Sequence, residues 1–488
     1  MRFSVLLAES GVQPRVFRSD ANVSDVSADS RRCAHGTCFV ALRGAHQDGH
    51  EFIPAALRAG ASAVVCQDPA VLPHRSKAAL AVVDDTHDAL GRLAQALQGW
   101  PSQQLTNIAV TGTNGKSTVT HLIREILRHT GRKVGLLGTV AYETPLRIVP
   151  ATMTTPDPVT LAKLCTNMVA DGATHLVMEA SSHALDQKRT AGMDFAVGVF
   201  TNLTGDHLDY HGTMESYLAA KRLLFEGLSS RALAVINRDD PHADAIANAT
   251  RARVFWYGLS PLADLQGRIG KIDAEGTTFD LLWHDQTVTV RTPLIGRHNV
   301  FNSLAAAGAC LSLGVKIDDV AAALETIRNV PGRLQRVPTE RNISVFVDYA
   351  HTDDALRNVL SALRPITSGR ILVVFGCGGD RDATKRPRMA RVAQELADRI
   401  IITSDNPRTE NPEKIIDEIL AGLDDRGRAV CHIDSDRRRA IANAICQARD
   451  GDVVLIAGKG HETYQVIGEE KIHFDDVEAA TECLLDES

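Results

Sequence analysis

Two patterns of hydrophobic and polar positions alternate along this chain. Short apolar runs such as SAVVC, ILVVF and DVVLIA predict buried strands, and longer stretches with apolar residues at helical spacing predict helices. The two patterns follow each other almost throughout the sequence. We therefore predict an α/β fold in which mostly parallel sheets are covered by helices.

The length of the chain indicates more than one domain, because 488 residues exceed what one hydrophobic core supports. The stretch QGWPSQQ is polar and contains proline, which is typical of a linker, and a second break lies near VPGRLQR. We predict an N-terminal domain over 1–101, a central domain over 102–335 and a C-terminal domain over 336–488.

The stretch VTGTNGKST, residues 110 to 118, lies between the predicted strand LTNIAVT and a predicted helix. Its spacing matches the phosphate loop G-x-x-x-x-G-K-[ST], except that Val110 stands at the first glycine. Strand, loop and helix in this order are the context that a phosphate loop requires, and an ordinary strand–helix turn is the alternative. The helix has one apolar stripe, formed by Val119, Leu122, Ile123, Ile126 and Leu127. Gly131 follows this stripe and suits the end of the helix.

Each polar residue of this loop has a role in holding a nucleotide. Glycines let backbone N–H groups turn towards phosphate oxygens, a lysine supplies positive charge, and a hydroxyl can reach Mg²⁺. The loop therefore predicts a bound nucleotide and Mg²⁺. The predicted nucleotide-binding residues of the loop are Gly112, Thr113, Asn114, Gly115, Lys116, Ser117 and Thr118.

Two later strands end in acidic residues or histidine. Glu179 follows the apolar run of HLVMEASSHAL, and Asp206, His207 and Asp209 follow VGVF. A carboxylate buried without a partner would be costly, which favours a metal or another charge beside it. We predict that Glu179 and His207 are metal ligands together with Ser117 and Thr118; a structural role is the alternative for a histidine after a strand.

Three strands of the C-terminal segment end in unusual polar loops. These are GCGGDRD (376 to 382), SDNPRTENP (404 to 412) and GKGHE (458 to 462). In open α/β sheets ligands bind beyond the carboxyl ends of the strands. We therefore expect the three loops to line one crevice.

Composition narrows the function and the compartment. A net charge of -7 without a basic run argues against nucleic-acid binding. The N-terminus lacks a signal-peptide pattern, and no apolar run could span a membrane, so we expect a cytoplasmic protein without membrane insertion. Nine scattered cysteines without C-x-x-C pairs suggest neither a disulfide framework nor a zinc site, so we expect them to be reduced and mostly buried.

Eight motifs occur in one order across nearly the whole chain: TGTNGKST, MEASSHALDQKR, TNLTGDHLDYHG, YLAAKRLLF, GRHNVFNSLAA, PGRLQR, DYAHT and GKGHE. Together they resemble the Mur ligases, the ATP-dependent amide-forming enzymes of peptidoglycan precursor synthesis. The missing first glycine is itself typical of this superfamily. The resemblance implies an N-terminal domain for the UDP portion of the substrate, a central phosphate-loop ATPase and a C-terminal Rossmann-like domain that brings the incoming amino acid.

The resemblance also implies the reaction. ATP phosphorylates a substrate carboxylate, an amine attacks the acyl phosphate, and the tetrahedral intermediate gives amide, ADP and phosphate. The catalytic residues it implies are Lys116, Glu179, His207 and Lys221. Further ATP contacts implied are Asn299, Arg333 and Asp348. The resemblance also implies which residues contact the UDP-muramoyl-peptide, namely Ser30, His46, Gln47, Thr154, Thr155, Ser181, Gln187 and Arg189.

Plainer interpretations exist for some of these residues. Ser181 and Ser182 could cap the following helix, and Arg189 could be a solvated surface charge. One departure is visible, because Asp353 in HTDDAL stands where the family usually has proline, which bears on the turn there.

Lys221 lies in YLAAKRLLF among apolar neighbours, where an ammonium near magnesium would be desolvated and repelled. The resemblance implies that this lysine is carbamylated and that the resulting anion helps to bind a second metal. The alternative is a lysine whose stem packs on the helix and whose head reaches water.

The incoming amine is predicted to belong to meso-diaminopimelate. Arg408 in D-N-P-R offers a planar fork for the second carboxylate, and this motif resembles diaminopimelate-adding members of the family, whereas lysine-adding members differ at the arginine. The predicted diaminopimelate-binding residues are Arg381, Asp405, Asn406, Pro407, Arg408, Gly458 and Glu462. The alternative is a proline-rich surface turn with a solvated arginine.

The predicted partners are therefore the small molecules UDP-muramoyl-dipeptide and meso-diaminopimelate, with the chain acting as a monomer. Competing functions are a lysine-adding Mur ligase, a folylpolyglutamate or cyanophycin synthetase, and a regulatory nucleotide switch without amide chemistry. DSRR and AHQDGH in the N-terminal segment resemble the UDP-binding domain and disfavour the synthetases. A switch would not need acid, lysine and arginine clusters on three segments.

Overall fold

The structure, a computed structural model, describes residues 1–44, 47–68, 77–327 and 329–486. Within these residues the chain forms three α/β domains in sequence order, each built on its own large sheet. The predicted fold class is confirmed. The first sheet ends before the predicted boundary at 101, and the boundary at 335 falls after the first residue of the third sheet.

The N-terminal domain contains a sheet in the order β1-β5-β4-β3-β2, parallel except for β1. Its strands are β1 (Val16–Arg18), β2 (Asp25–Ser27), β3 (Thr37–Val40), β4 (Ala63–Cys66) and β5 (Ala79–Val82). Its helices are α1 (Phe3–Ser10), α2 (Ile53–Arg58) and α3 (Thr86–Leu97), with 3₁₀ turns at Ser30–Arg32 and Gly49–Phe52.

The central domain contains a sheet in the order β16-β15-β14-β13-β12-β11-β6-β10-β7-β8-β9. Its strands are β6 (Thr106–Thr111), β7 (Val134–Leu137), β8 (Ala141–Glu143), β9 (Ile148–Pro150), β10 (His175–Glu179), β11 (Val197–Phe200), β12 (Leu233–Asn237), β13 (Arg253–Gly258), β14 (Leu265–Asp273), β15 (Gly276–Trp283) and β16 (Gln286–Thr292). Its helices are α4 (Lys116–His129), α5 (Pro158–Ala170), α6 (Ser182–Asp186), α7 (Leu208–His211), α8 (Met214–Glu226), α9 (Ala243–Ala247), α10 (Arg297–Ser312) and α11 (Ile317–Thr326).

Strand β6 carries the phosphate loop and lies between β10 and β11, all three parallel. The ends of β10 and β11 therefore reach the loop from both sides. The predicted stripe of α4 is confirmed, because its five apolar residues are fully buried in the domain core and Gly131 ends the helix with φ 78°.

The two edges of the central sheet differ from the predicted alternation of strands and helices. Strands β14, β15 and β16 form an antiparallel meander, and β7, β8 and β9 form another. Strand β15 largely alternates buried and half-buried positions, since one of its faces packs on the core while the other is partly open to solvent. This period-two pattern predicts antiparallel strands, and the turns between them are too short for crossover helices.

The stretch QGWPSQQ is not the exposed linker that its polarity suggested. Pro101–Gln104 form a 3₁₀ turn in which Pro101 and Ser102 are buried. Asn107 donates a hydrogen bond to the carbonyl oxygen of Ser102, and Trp100 packs against the N-terminal core. The connection is therefore fixed between the two domains.

The C-terminal domain contains a sheet in the order β17-β18-β22-β19-β20-β21, parallel except for β17, with apolar clusters on both faces. Its strands are β17 (Gln335–Val337), β18 (Ser344–Asp348), β19 (Ile371–Phe375), β20 (Arg399–Ile402), β21 (Cys431–Ile433) and β22 (Val453–Ala457), followed by the hairpin β23 (Tyr464–Ile467) and β24 (Glu470–His473). Its helices are α12 (Asp353–Leu363), α13 (Lys385–Leu396), α14 (Pro412–Leu420), α15 (Asp425–Ala429), α16 (Arg437–Gln447) and α17 (Asp476–Asp486), with a 3₁₀ turn at Arg364–Ile366.

Two further sequence predictions concern burial and membranes. Six cysteines are buried, which confirms that most are inside the protein: Cys33, Cys38, Cys66, Cys165, Cys310 and Cys377. In the part of the chain that the structure describes, no helix is long and apolar enough to cross a membrane.

Candidate active site

The position of Val110 explains why the phosphate loop lacks its first glycine. Val110 still belongs to β6, where it pairs with Glu179 of β10 and Val199 of β11, and its side chain is fully buried in the core. A position inside a central strand favours a β-branched apolar residue such as valine over glycine. Strand β6 continues to Thr111, so the loop itself starts at Gly112.

The two glycines of the loop are required by crowding and by backbone geometry. Gly112 and Gly115 have φ angles of 150° and 86°, which side chains rarely adopt. A Cβ atom at Gly112 would collide with the hydroxyl of Thr201, and one at Gly115 with the amide of Asn302. Backbone N–H groups can consequently face the space in front of α4, whose N-terminus attracts anions.

Lys116 is folded back onto the loop. Its ammonium donates hydrogen bonds to the carbonyl oxygens of Gly112 (2.9 Å) and Thr113 (2.8 Å). Burial lowers the pKa of Lys116, and the negative charges of Glu179 and Asp206 oppose that shift. A phosphate in front of the loop would give this ammonium a stronger partner than the two carbonyl groups.

Glu179 ends β10 with a completely buried side chain. Its two carboxylate oxygens accept hydrogen bonds from Thr139, from the backbone N–H at 2.8 Å and from the hydroxyl at 3.0 Å. No cation forms an ion pair with it among the described residues. This carboxylate is oriented beside the phosphate loop and retains acceptor capacity for a cation.

His207 follows β11 in the left-handed region, with φ 55°, at the start of α7. Its ring lies 3.5 Å from the carboxylate of Asp206, and its centroid lies 4.9 Å from that of His183. Asp209, the other acid of this motif, is exposed. His207 and Asp206 line the cavity in front of the phosphate loop, where His207 is also exposed, whereas Asp209 does not line it.

Lys221 is 1% exposed on α8. Its ammonium lies over the ring of Tyr217, 4.2 Å from the centroid, and forms no ion pair within the described residues. Burial lowers the pKa of Lys221 well below its usual range, and the charge of Lys116 adds to that effect. Its head does not reach bulk water, so the solvated alternative is wrong.

Arg333 lies before the predicted boundary at 335, but its neighbours Gly332 and Leu334 hydrogen-bond to Tyr349 and Asp348, so it belongs with the C-terminal domain. This domain reaches the loop through Arg333, whereas Asp348 lines the cavity. Arg333 donates a hydrogen bond to the Ser117 hydroxyl at 3.0 Å and lies over the ring of Tyr349. Asp348 accepts hydrogen bonds from the backbone N–H groups of Leu334 (2.6 Å) and Ala350 (2.8 Å). Burial raises the pKa of Asp348, and the charge of Arg333 opposes that rise.

A cavity of about 870 Å³ lies between the central and C-terminal domains. It is large enough for a nucleotide and a second group. The residues predicted from the sequence that line it are Thr113, Asn114, Gly115, Lys116, Ser117, Thr118, Thr154, Glu179, Ser181, His207, Lys221, Asn299, Arg333 and Asp348. Asn299 is fixed there by donating to the Ile295 carbonyl oxygen at 2.9 Å.

The donor set fits a magnesium ion that arrives with a nucleotide. Among the described residues, no group of three or more His, Cys, Asp or Glu side chains could hold a metal ion by itself. Magnesium needs no such cage, because it commonly takes one or two carboxylates, waters and substrate phosphates. Glu179 and the hydroxyls of Ser117 and Thr118 line the cavity and supply oxygen ligands of this kind.

The residues predicted to contact the muramoyl-peptide form one cluster beside Glu179. The Thr155 hydroxyl bonds to the Glu179 carbonyl oxygen (2.8 Å), and Arg189 donates to the Thr155 carbonyl oxygen (2.9 Å) and to Gln187. The Thr154 hydroxyl lies 3.1 Å from that of Thr139. Arg189 is therefore held by protein acceptors and is not a solvated surface charge.

Ser181 combines the two interpretations made from the sequence. Its hydroxyl accepts a hydrogen bond from the Ala184 backbone N–H, so it caps α6, and it also lines the cavity. Of the residues predicted to bind the UDP end, the structure describes only Ser30 and Gln47. Ser30 begins a 3₁₀ turn, Gln47 is exposed, and neither lines the cavity; His46 lies outside the described residues.

The three C-terminal loops meet one another, as the sequence predicted. The Asn406 amide donates to Glu462 at 2.8 Å, and Arg408 donates to the Gly379 carbonyl oxygen at 2.7 Å. Asp405 is buried beside Gly458. Loops 376–382, 404–412 and 458–462 therefore form one surface, which lies outside the lining of the large cavity.

Arg408 adopts a left-handed backbone, with φ 52°, after the buried Pro407. No carboxylate pairs with its guanidinium among the described residues, so several of its donors are available. The exposed Arg381 passes beside Gly378, which Arg408 also approaches. Two positive charges thus lie near each other on this surface, and neither has an acidic partner in the part of the chain that the structure describes.

Several residues around these sites were not predicted, and three of them hold other parts in place. Asp354 accepts hydrogen bonds from Asn114 (2.9 Å) and Thr204 (3.1 Å) of the central domain. Arg386, with a 1% exposed side chain, holds Glu410 and with it the loop of Arg408. Lys459 is fully buried among Asp405, Asn406 and Glu462. Of these three residues, only Lys459 could have been predicted from the sequence, because it belongs to GKGHE, a polar motif that directly follows a buried strand.

Asp353 occupies the first position of α12, after the capping residue Thr352. Proline is favoured at this position, but a carboxylate is also stabilising there because it faces the positive end of the helix dipole. The turn is therefore kept despite the departure from the family pattern.

Comparison with known proteins agrees with this geometry. Residues 22–98 match the family described as "Mur ligase family, catalytic domain", 110–310 match "Mur ligase middle domain", and 332–460 match "Mur ligase, glutamate ligase domain". These matches span the three domains in order.

Similar proteins cover almost the entire chain. The UDP-N-acetylmuramoyl-L-alanyl-D-glutamate--2,6-diaminopimelate ligase of Gloeobacter violaceus is 45% identical, covering 99% of this chain and 98% of its own. The enzyme of the same name from Geobacillus kaustophilus is 46% identical, covering 92% of each. A solved structure with this name is 36% identical with a TM-score of 0.68, covering 95% of each chain. The chain therefore belongs to the Mur ligase family.

Proposed function

We propose that this protein is an ATP-dependent ligase that joins meso-2,6-diaminopimelate to UDP-N-acetylmuramoyl-L-alanyl-D-glutamate in peptidoglycan synthesis. The observation that carries the proposal is the arrangement around the large cavity. A phosphate loop, a buried carboxylate and an arginine from the next domain meet there, and the surface around Arg408 lies on that same next domain.

The first step is transfer of the γ-phosphoryl group of ATP to a carboxylate of the dipeptide. A P–O bond to ADP breaks, and a P–O bond to the carboxylate oxygen forms. A carboxylate becomes a good electrophile only after this change. Lys116 and the N-terminus of α4 offset the charge of the two anions that must approach each other.

Magnesium would be held by Ser117, Thr118, Glu179 and His207, with Lys221 contributing as its carbamate. When bound, the ion screens the phosphate charges and polarises a phosphoryl oxygen. Glu179 supports this proposal because Thr139 already orients its carboxylate beside the loop.

The second step is attack of the amine of diaminopimelate on the acyl phosphate. A C–N bond forms, the amine loses a proton, and phosphate leaves. Thr154, Thr155, Ser181, Gln187 and Arg189 would orient the dipeptide, and Ser30, His46 and Gln47 would bind its UDP end. Exclusion of water by the C-terminal domain would protect the acyl phosphate from hydrolysis.

The guanidinium of Arg408, which has no acidic partner among the described residues, favours diaminopimelate over lysine. Diaminopimelate has a carboxylate at the end where lysine has only an ammonium. Arg408 has no acidic partner among the described residues, whereas a fork of this kind pairs well with a carboxylate. Lysine would leave that charge unpaired, which costs about 1–3 kcal/mol or more.

Phosphate release separates this function from its competitors. ATP, the UDP-muramoyl-dipeptide and diaminopimelate together should give phosphate and amide product in equal amounts. A nucleotide switch would release phosphate without amide product, and a folylpolyglutamate-type synthetase would require a different acceptor. Absence of amide product with diaminopimelate would overturn the proposal.

A further inference from the structure

Lys459 is a lysine with a completely buried side chain in the turn after β22. Its ammonium lies 3.1 Å from Oδ1 of Asn406, 3.2 Å from Oε2 of Glu462 and 3.5 Å from Oδ1 of Asp405. All three neighbours belong to the predicted diaminopimelate site. A buried ammonium is costly unless it is paired, so this charge is held there by its partners.

The first consequence concerns the amide of Asn406. Its Oδ1 atom accepts hydrogen bonds from the Lys459 ammonium and from the backbone N–H of Val466 at 3.0 Å. Because both neighbours are donors only, the amide cannot flip without losing both bonds. Its Nδ2 atom therefore points to Glu462, to which it donates at 2.8 Å.

The second consequence concerns the carboxylate of Glu462. Its Oε2 atom accepts from both Asn406 and Lys459, whereas its Oε1 atom accepts no hydrogen bond among the described residues. The backbone N–H of Glu462 also donates to the Lys459 carbonyl oxygen at 3.0 Å. One oxygen of this carboxylate is thus clamped and the other is available.

We propose that Lys459 is a positioning residue for recognition of the incoming amino acid. By clamping Asn406 and Oε2 of Glu462, it presents Oε1 of Glu462 and the second amide hydrogen of Asn406 to the substrate. An acceptor beside a donor suits an amino-acid centre, which carries an ammonium and a carboxylate. Lys459 itself is covered and does not touch the substrate. The inference deepens the proposed function and rests on it.

The test is the kinetics of the full-length Lys459→Met variant, which keeps the length of the side chain but loses its charge and donors. We expect the KM for diaminopimelate to rise at least about tenfold, as loss of hydrogen bonds to a charged group implies. The kcat at saturating diaminopimelate, and the KM values for ATP and the UDP-muramoyl-dipeptide, should stay within about threefold, because the other sites keep their geometry.

Lys471→Met is the matched control. The ammonium groups of Lys459 and Lys471 both lie over the ring of Tyr464, at 5.7 Å and 3.4 Å from its centroid, but Lys471 is exposed on β24. Its replacement should leave the KM for diaminopimelate unchanged. Lys459→Gln, which keeps one donor group without the charge, provides a second variant if Lys459→Met does not fold.

The outcomes separate the two proposals. An unchanged KM for diaminopimelate in a folded Lys459 variant overturns the positioning role. Equal losses in all kinetic parameters, or failure of both variants to fold, also overturn it, because Lys459 is then a structural residue. If the wild-type protein forms no amide product with diaminopimelate, the proposed function fails and this inference fails with it.

Discussion

The guanidinium of Arg333 donates a hydrogen bond to the hydroxyl of Ser117 across 3.0 Å and 216 residues of sequence. Arg333 lies just before β17, the first strand of the C-terminal sheet, and Ser117 lies in the first turn of α4 behind the phosphate loop. The C-terminal domain therefore contacts the phosphate loop directly. An arginine in this position can balance charge on a transferring phosphoryl group.

Replacement of Lys116 by alanine should remove phosphoryl transfer. Without its ammonium the loop has less charge to stabilise the transferring group, so kcat should fall on the order of 100- to 1,000-fold. Phosphate release in the presence of the UDP-muramoyl-dipeptide and diaminopimelate measures the effect. The circular-dichroism spectrum should match that of the wild type. Near-normal turnover would mean that this loop does not hold ATP.

Lys221 should carry a carbamate in the active enzyme. The neutral amine forms a C–N bond with carbon dioxide and loses one proton to water, which leaves the carbamate anion. Burial favours the neutral amine by lowering the pKa of Lys221. Lys221→Ala should be inactive and regain activity with a short carboxylate such as propionate, whereas Lys116→Ala should not be rescued. Labelled bicarbonate should give a carbamate NMR signal. Full activity of a protein with unmodified Lys221 would contradict this prediction.

Asp354 should stabilise closure of the C-terminal domain on the central domain. Its carboxylate accepts from Asn114 and Thr204, so Asp354→Ala removes both contacts at once. With ATP and dipeptide bound, small-angle scattering should show a larger radius of gyration for the variant than for the wild type, and the KM for ATP should rise several-fold. Asn358→Ala is the control, since Asn358 contacts Asp354 within α12. If the wild-type protein has the same radius of gyration with and without ATP and dipeptide, this result argues against closure.

The ion pair between Arg437 and Asp476 should be a main determinant of stability in the C-terminal domain. Both side chains are completely buried, and the two hydrogen bonds between them are 2.7 Å long. Asp476→Asn leaves the arginine charge buried, at a cost of about 3–5 kcal/mol, and should lower the melting temperature by about 6 °C or more. Glu482→Gln removes the exposed ion pair with Arg438 and should change the melting temperature by less than about 2 °C. Equal shifts would contradict the prediction.

Local patterns in the sequence were sufficient to predict the centre of the site. The apolar runs before Glu179 and His207 indicated strands in the same sheet as the phosphate loop. A buried carboxylate at the carboxyl end of such a strand needs a partner there. The stripe on α4 and the glycines of the loop depend on residues near in sequence. Such features can be recognised without knowing the rest of the fold.

Contacts between distant segments could not be predicted in this way. Asn114 and Asp354 are 240 residues apart, and nothing near either residue indicates the other. The burial of Lys459 depends on how three loops pack together. Arg408, which has a left-handed backbone, likewise forms a bridge to Ile467 of β23, a partner that the D-N-P-R motif does not reveal.

Arg408→Ala should remove the preference for diaminopimelate. The variant loses the partner for the second carboxylate, so kcat/KM for diaminopimelate should fall about 100-fold while that for lysine changes little. Arg391→Ala is the control, because Arg391 is exposed on α13 and is not one of the predicted diaminopimelate-binding residues. A variant that still prefers diaminopimelate would show that Arg408 does not bind the distinguishing carboxylate.

The central claim is tested most directly by comparing two amino acids in one assay. Wild-type protein, ATP, magnesium and UDP-N-acetylmuramoyl-L-alanyl-D-glutamate are incubated with meso-diaminopimelate or with lysine, and the amide products are quantified. We predict that kcat/KM is at least about 100-fold higher for diaminopimelate, since lysine leaves Arg408 without a carboxylate. Comparable kcat/KM values for the two amino acids would contradict the account.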